Sequence, residues 1–249
     1  MRLDLCTWPE VEEYLTRAQG ILIPAGSTEQ HGPMGLIGTD ALCATAIAEA
    51  AADRVGAIVA PTLALTPAPF NTAFPGTISI SAGLFQSLAA EYLDALAAQG
   101  FRRLYVLNGH GANLEPLRAV AGDRIDTRIR SWWDFAEVNE IRQREFGDWE
   151  GMHATPSEVA ITQALHRVVP SGMAADPPAK LSPEYVRAHA GDRHGPPDQH
   201  RRDFPDGRVG SHSALATPDT GRALLEAAAA AVARDFASFC ANGSTGADA

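Results

Sequence analysis

The chain is short of the residues on which several kinds of protein depend. Of its 249 residues only Lys180 is lysine, and acids outnumber lysine plus arginine 30 to 20, for a net charge of −10. A phosphate-binding surface is basic, so this balance argues against a nucleic-acid partner. A single lysine leaves Schiff-base chemistry little support. Cysteine is scarce too: Cys6, Cys43 and Cys240 are odd in number and widely spaced, which fits neither a disulfide framework nor a zinc finger. The sequence has no Gly-x-Ser-x-Gly nucleophile elbow, phosphate loop or dinucleotide fingerprint. The alanine-rich stretches at 41–52 and 224–232 are too short or too interrupted by charge to span a bilayer. The first fifteen residues carry acids and lack the apolar run of a secretory signal. A soluble, cytoplasmic protein is expected, with a small molecule rather than nucleic acid or membrane as its partner.

What is present is 45% hydrophobic residues, enough for a large core, in a length that suits one domain over 1–249. A short apolar run at 21–24 reads as a strand buried on both faces, and 57–60, 103–107 and 127–132 read as further strands. Helical patterns fall at 9–19, 39–55 with Thr39 as cap, 83–99, from about 113 to before 126, 156–168 and 217–239. Such alternation predicts an α/β fold with a parallel sheet, whose ligands sit at the carboxyl ends of the strands. Residues 170–210, rich in Pro, Gly, Arg and His, suggest no regular element, and the tail 242–249 is expected to fray.

Three segments carry the chemistry. Gly26-Ser-Thr-Glu-Gln-His-Gly32 leaves the first strand, and Asp40 follows in the first turn of the next helix. Glu29 and His31, two apart, face one side if that loop is extended. Together with Asp40 they offer the carboxylates and imidazole that suit zinc, manganese or iron. Equally, Glu29 can be a solvated acid, His31 a loop hydrogen-bonder and Asp40 a helix cap. Asn108-Gly-His-Gly-Ala-Asn113 presents His110 among glycines at a strand end, or else a plain surface turn. In His153-Ala-Thr-Pro-Ser-Glu158, His153 lies just before a helix opened by Pro156 and Glu158 lies in its first turns. Glu158 can also be a capping-box acid reaching back to Thr155. Trp132 and Trp133 end a strand and either cover a flat substrate or pack the core. His189, His194, His200 and His212 read as solvated loop residues, and Glu115 as a helix-surface acid.

The co-linear order of Gly26 to Gly32, Gly38-Thr-Asp40, Phe74-Pro-Gly-Thr77, Asn108 to Asn113 and His153 to Glu158 resembles the creatininase (creatinine amidohydrolase) family. Gly207 to Thr217 resembles a late glycine-containing segment of that family. The resemblance implies a three-layer αβα fold with a mostly parallel central sheet, often assembled as a homohexamer. It implies two divalent metals held by Glu29, His31, Asp40, His110 and Glu158, with Asp40 as the bridge. It also implies a substrate-side His153 that donates a proton to a leaving nitrogen. The expected reaction is hydrolysis of a C–N bond in a small amide, lactam or formamide by a metal-activated water. Trimming of a peptide, as in mycofactocin maturation, is a variant within the class. The pattern also departs from the family. Creatininase carries a glutamate ligand where this chain has Ala112, and His212-Ser213 stands where relatives often have Asp-Pro. A lyase or isomerase on the same site, or a binding protein without catalysis, are the rival expectations.

Overall fold

The computed structural model describes residues 1–122, 124 and 126–241, so the tail 242–249 lies outside the described residues. Among them the chain forms four strands, β1 (Gly20–Ala25), β2 (Ile58–Val59), β3 (Arg103–Asn108) and β4 (Thr127–Ser131). They make one sheet of order β2-β1-β3-β4 in which every pairing is parallel. Among the described residues nine α-helices surround it: α1 (Trp8–Arg17), α2 (Thr39–Val55), α3 (Ala82–Ala98), α4 (Leu114–Ala121), α5 (Ala136–Glu145), α6 (Pro156–Leu165), α7 (Pro183–Ala188), α8 (Pro197–Asp203) and α9 (Pro218–Ala241).

The alternation of side chains along a strand divides the core into two layers. Leu22, Tyr105 and Leu107 face one layer, built with α2, α5, α6 and α9. Ile21, Ile23, Leu104 and Val106 face the other, built with α1, α3 and α4. This is the αβα sandwich that the sequence predicts.

Strand order reverses beside β1. The chain passes from β1 to β2 on one side, then returns to lay β3 on the other. Such a switch point leaves a crevice at the carboxyl ends of the two central strands. The loop 26–38 leaves β1 there, and Gly109–Gly111 leaves β3. The start of α2 is pressed against both. A Cβ on Gly26 would lie 2.3 Å from the Ala41 nitrogen, and one on Gly109 would lie 2.6 Å from the Asp40 carbonyl oxygen. Only glycine lets backbone and helix approach this closely.

Several local expectations need correcting. Thr39 is the first residue of α2 rather than its cap: Gly38 takes the cap position, and the Thr39 hydroxyl donates to the Leu36 carbonyl at 2.7 Å. Helix α5 carries no strong apolar stripe, buries only Val138 and was not expected. Residues 170–210 hold two short helices, α7 and α8. The buried Arg208 fastens the segment, donating to the carbonyls of Ala174 at 3.1 Å and Asp176 at 3.0 Å and to Asp206 at 2.8 Å. Its histidines are not solvated. His194 and His200 pack on Phe70 with ring centroids 4.7 and 5.0 Å away, and His189 stacks on Tyr185 at 3.8 Å. Phe70 in turn lies edge-on to His153 at 5.9 Å, which joins this segment to the crevice.

Candidate metal centre

The crevice gathers the six polar residues singled out from the sequence, all of them buried. Glu29 and His31 come from the β1 loop, Asp40 from the first turn of α2, His110 from the β3 loop, and His153 and Glu158 from the entry to α6. Three sets have all their ligand atoms within 4.8 Å of one another: Glu29–His31–His153, Glu29–Asp40–His110 and His31–Asp40–Glu158.

Asp40 joins two of these sets through its two oxygens. Oδ1 lies 2.8 Å from His31 Nε2, and Oδ2 lies 3.0 Å from His110 Nδ1. Glu29 Oε1 lies 3.1 Å from the same His110 nitrogen. Backbone carbonyls decide which imidazole nitrogen faces the centre. A carbonyl only accepts, so the nitrogen that touches it carries the hydrogen. His110 Nε2 donates to Pro67 at 2.8 Å, His31 Nδ1 to Glu29 at 3.1 Å and His153 Nε2 to Gln30 at 2.7 Å. In the neutral tautomer this leaves lone pairs on His110 Nδ1, His31 Nε2 and His153 Nδ1, all turned inward. Donation of the far N–H to a backbone carbonyl is the usual way a ligating histidine is oriented.

The acids are held with equal care. Asn71 donates to Glu29 Oε2 at 2.8 Å and leaves Oε1 free. Thr155 caps α6, and its N–H and hydroxyl donate to Glu158 Oε2 at 2.9 and 2.7 Å. The capping box and the inward-facing acid are thus one side chain doing both jobs. The backbone at Ala154, between His153 and Thr155, takes φ 56°, a left-handed value uncommon outside glycine and often found at functional sites.

The electrostatics of the cluster suit it to a cation. Glu29 Oε1 and Asp40 Oδ2 are fully enclosed and have no hydrogen-bond partner, an arrangement that costs free energy unless a positive charge stands among them. The neighbouring imidazoles respond to the negative charge of these acids. Burial works to depress His31, but Asp40, Glu158 and Glu29 outweigh it and raise its pKa to about 10. Burial likewise works to depress His110, yet Glu29 and Asp40 raise it well above its ordinary value. Where no such partner dominates, burial prevails. It lifts the Glu158 carboxyl to about 7 and drops His153 to about 3, keeping that imidazole neutral. Carboxylate oxygens and imidazole nitrogens converging without a partner are the donor set that divalent zinc, manganese or iron requires. The residues therefore fit a metal pair.

A cavity of about 180 Å³ opens onto this cluster, lined among others by Asp40, His110, Trp132, Trp133, Arg142 and His153. Trp132 is 1% exposed and packs within the core beneath the cavity, while the half-buried Trp133 meets it edge-on at 5.5 Å. Glu115 is on the surface of α4, as expected. Asn71, the Pro67 carbonyl and Asp192 also belong to the site, and sequence reasoning missed all three. Asn71 lies just outside the Phe74–Thr77 motif, and nothing in its neighbourhood marks it.

Comparison with known proteins places the chain in a family. The family model described as creatinine amidohydrolase (creatininase) matches residues 4–236. The chain belongs to the creatininase family. That family consists of metal-dependent hydrolases, and this member is an enzyme of that class. It is similar to the creatinine amidohydrolase of Pseudomonas putida, 28% identical over 205 residues that make up 71% of this chain and 79% of the relative. It is also similar to the mycofactocin precursor peptide peptidase of Mycobacterium ulcerans, 39% identical over 136 residues. That match takes in 51% of this chain and only half, 50%, of the relative. A solved structure described as "Creatininase Mn" superposes with a TM-score of 0.79 at 24% identity, covering 96% of this chain and 98% of the other, and shares the creatininase-family fold.

Proposed function

We propose that this creatininase-family chain hydrolyses a C–N bond in a small amide, lactam, formamide or short peptide at a two-metal centre. The observation that carries the reading is Asp40, whose two carboxylate oxygens face His31 on one side and His110 on the other. His31, Asp40 and Glu158 would hold one ion, and Glu29, Asp40 and His110 the second. The ions belong to the zinc, manganese and iron class, as the mixed carboxylate and imidazole donors favour. Bound there, they activate water and polarise the scissile carbonyl.

The remaining steps fall to the protein's own groups. His153, neutral and turned inward at Nδ1, sits 3.7 Å from Glu29 Oε1. It is placed to accept a proton from the attacking water and return it to the departing nitrogen. The Gln30 carbonyl fixes that imidazole by holding its Nε2–H. Trp133, backed edge-on by the buried Trp132, offers a wall against which a flat substrate lies, and Arg142, at the same cavity, favours a substrate with an acceptor group at its far end. The 39% identity to the mycofactocin peptidase over 51% of this chain supports including short peptides in the substrate class.

The whole span 1–249 acts as a single domain in this reading. Among the described residues no helix is long and apolar enough to cross a membrane. That is compatible with the cytoplasmic location proposed here, and exposed apolar side chains such as Trp8, Leu5 and Met173 are available to a homo-oligomer.

The test combines metal analysis with product analysis. Purified protein should contain two ions per chain and should transfer solvent ¹⁸O into the carboxyl product of a cleaved amide. Asp40→Ala should abolish both. Full activity in that variant, or product without solvent oxygen, would defeat the reading and turn attention to a lyase or isomerase.

A further inference from the structure

Three carboxylates, not two, converge on His110. Besides Glu29 Oε1 and Asp40 Oδ2, Asp192 Oδ2 lies 3.7 Å from Nδ1. That nitrogen is the one left with a lone pair when Nε2–H donates to Pro67. Asp192 is more than 80 residues from any of the ligands on the β1 and β3 loops and arrives from segment 170–210. Its side chain is only 11% exposed. The Ala112 N–H donates to the same Oδ2 at 3.0 Å, and so pins the carboxylate two residues beyond His110.

The chain makes room for this approach. A Cβ on Gly111 would stand 2.2 Å from Asp192 Oδ2. Gly191 and Asp192 take φ of 73° and 55°, two consecutive left-handed residues of which the second is not glycine. Holding Asp192 there costs backbone energy, which a purely solvated surface acid would have no reason to bear. On its other side Oδ1 faces His194 Nε2 at 3.8 Å, an enclosed nitrogen without a hydrogen-bond partner. His194 is itself packed on Phe70. An acid buried beside two other acids, with two of their oxygens unpartnered, is disfavoured by repulsion unless a cation joins them.

We propose that Asp192 supplies a further carboxylate to the cation held by Glu29, Asp40 and His110, so that segment 170–210 completes the metal centre. The inference rests on the metal-centre reading above. It also accounts for Ala112, which carries no donor of its own: the carboxylate reaches the same place from a distant part of the chain.

Manganese binding to the full chain tests the proposal without reference to catalysis. Metal-free wild type, Asp192→Asn, Asp192→Ala and Asp40→Ala would each be titrated with Mn²⁺, with ion content and spin spectra read together. Asparagine keeps an acceptor for the Ala112 N–H while removing the charge, so it separates folding from ligation. The expected result is two ions in wild type with the broadened signal of an exchange-coupled pair. In Asp192→Asn one of the two ions should bind about 10- to 100-fold more weakly. The six-line spectrum of an isolated ion should appear there at manganese concentrations that saturate wild type. Wild-type affinity for both ions in both Asp192 variants, with two ions retained in wild type, would overturn the role of Asp192 and leave the metal centre standing. Failure of wild type itself to take up Mn²⁺ or Zn²⁺ would overturn the metal centre instead.

Discussion

The two halves of the centre are built differently. The half formed by His31, Asp40 and Glu158 rests on helix starts: Asp40 in the first turn of α2 and Glu158 in the capping box of α6. The half formed by Glu29, Asp40 and His110 rests on loops that leave β1 and β3, and reaches out to Asn71 and Asp192 for support. A donor on a capped helix is oriented by its neighbours in sequence. A donor on a glycine-rich loop needs partners from elsewhere in the fold. The first half should therefore be the sturdier one, and the second the one that tuning of metal and substrate acts on.

The strongest way to break the comparison is to remove what the halves share. Asp40→Ala should lose both ions and lower kcat/KM by three orders of magnitude or more, as read by metal analysis and steady-state kinetics. Metal removal comes next. Chelation should reduce stability by about 4 kcal/mol relative to protein held at 1,000 times Kd, seen as a fall in Tm. Gly109→Ala should cost about 1–3 kcal/mol in chemical denaturation, because its Cβ meets the backbone of α2. Thr155→Ala sharpens the contrast between the halves. Loss of the cap should cost about 1 kcal/mol and weaken only the ion beside Glu158. The smallest effect is expected of Trp133→Ala, which should raise KM about tenfold with metal content unchanged. A change in metal content there would show that the tryptophan wall supports the ligands rather than the substrate.

Sequence reasoning went furthest where chemistry and local structure coincide. Strands β1 and β3 are continuous apolar runs, and α2, α3, α6 and α9 carry clear caps or breakers, so most of the sandwich was legible. The six clustered residues stand at strand ends or helix starts in short motifs, and each could be named as a candidate. Whether they were ligands or ordinary caps and loop residues could not be read, because Glu158 as a capping acid and Glu158 as a ligand have the same sequence. Helix α5 escaped because its exposed face is charged and only Val138 is buried. The histidines of 170–210 were misjudged because proline, glycine and arginine around them look like a solvated loop. His194 and His200 are covered by Phe70, more than 120 positions away.

By itself, then, the amino-acid order determined the layered α/β class, the glycines that admit close approach at 26 and 109, and the local pairing of Thr155 with Glu158. These follow from side-chain period, backbone freedom and contacts three residues apart. Only the tertiary structure decided that four loops and helix starts meet at one switch point. It also decided which imidazole nitrogen each backbone carbonyl turns inward, and that Asp192 arrives beside His110. Those outcomes depend on distances between groups far apart along the chain, which packing sets and sequence spacing does not encode.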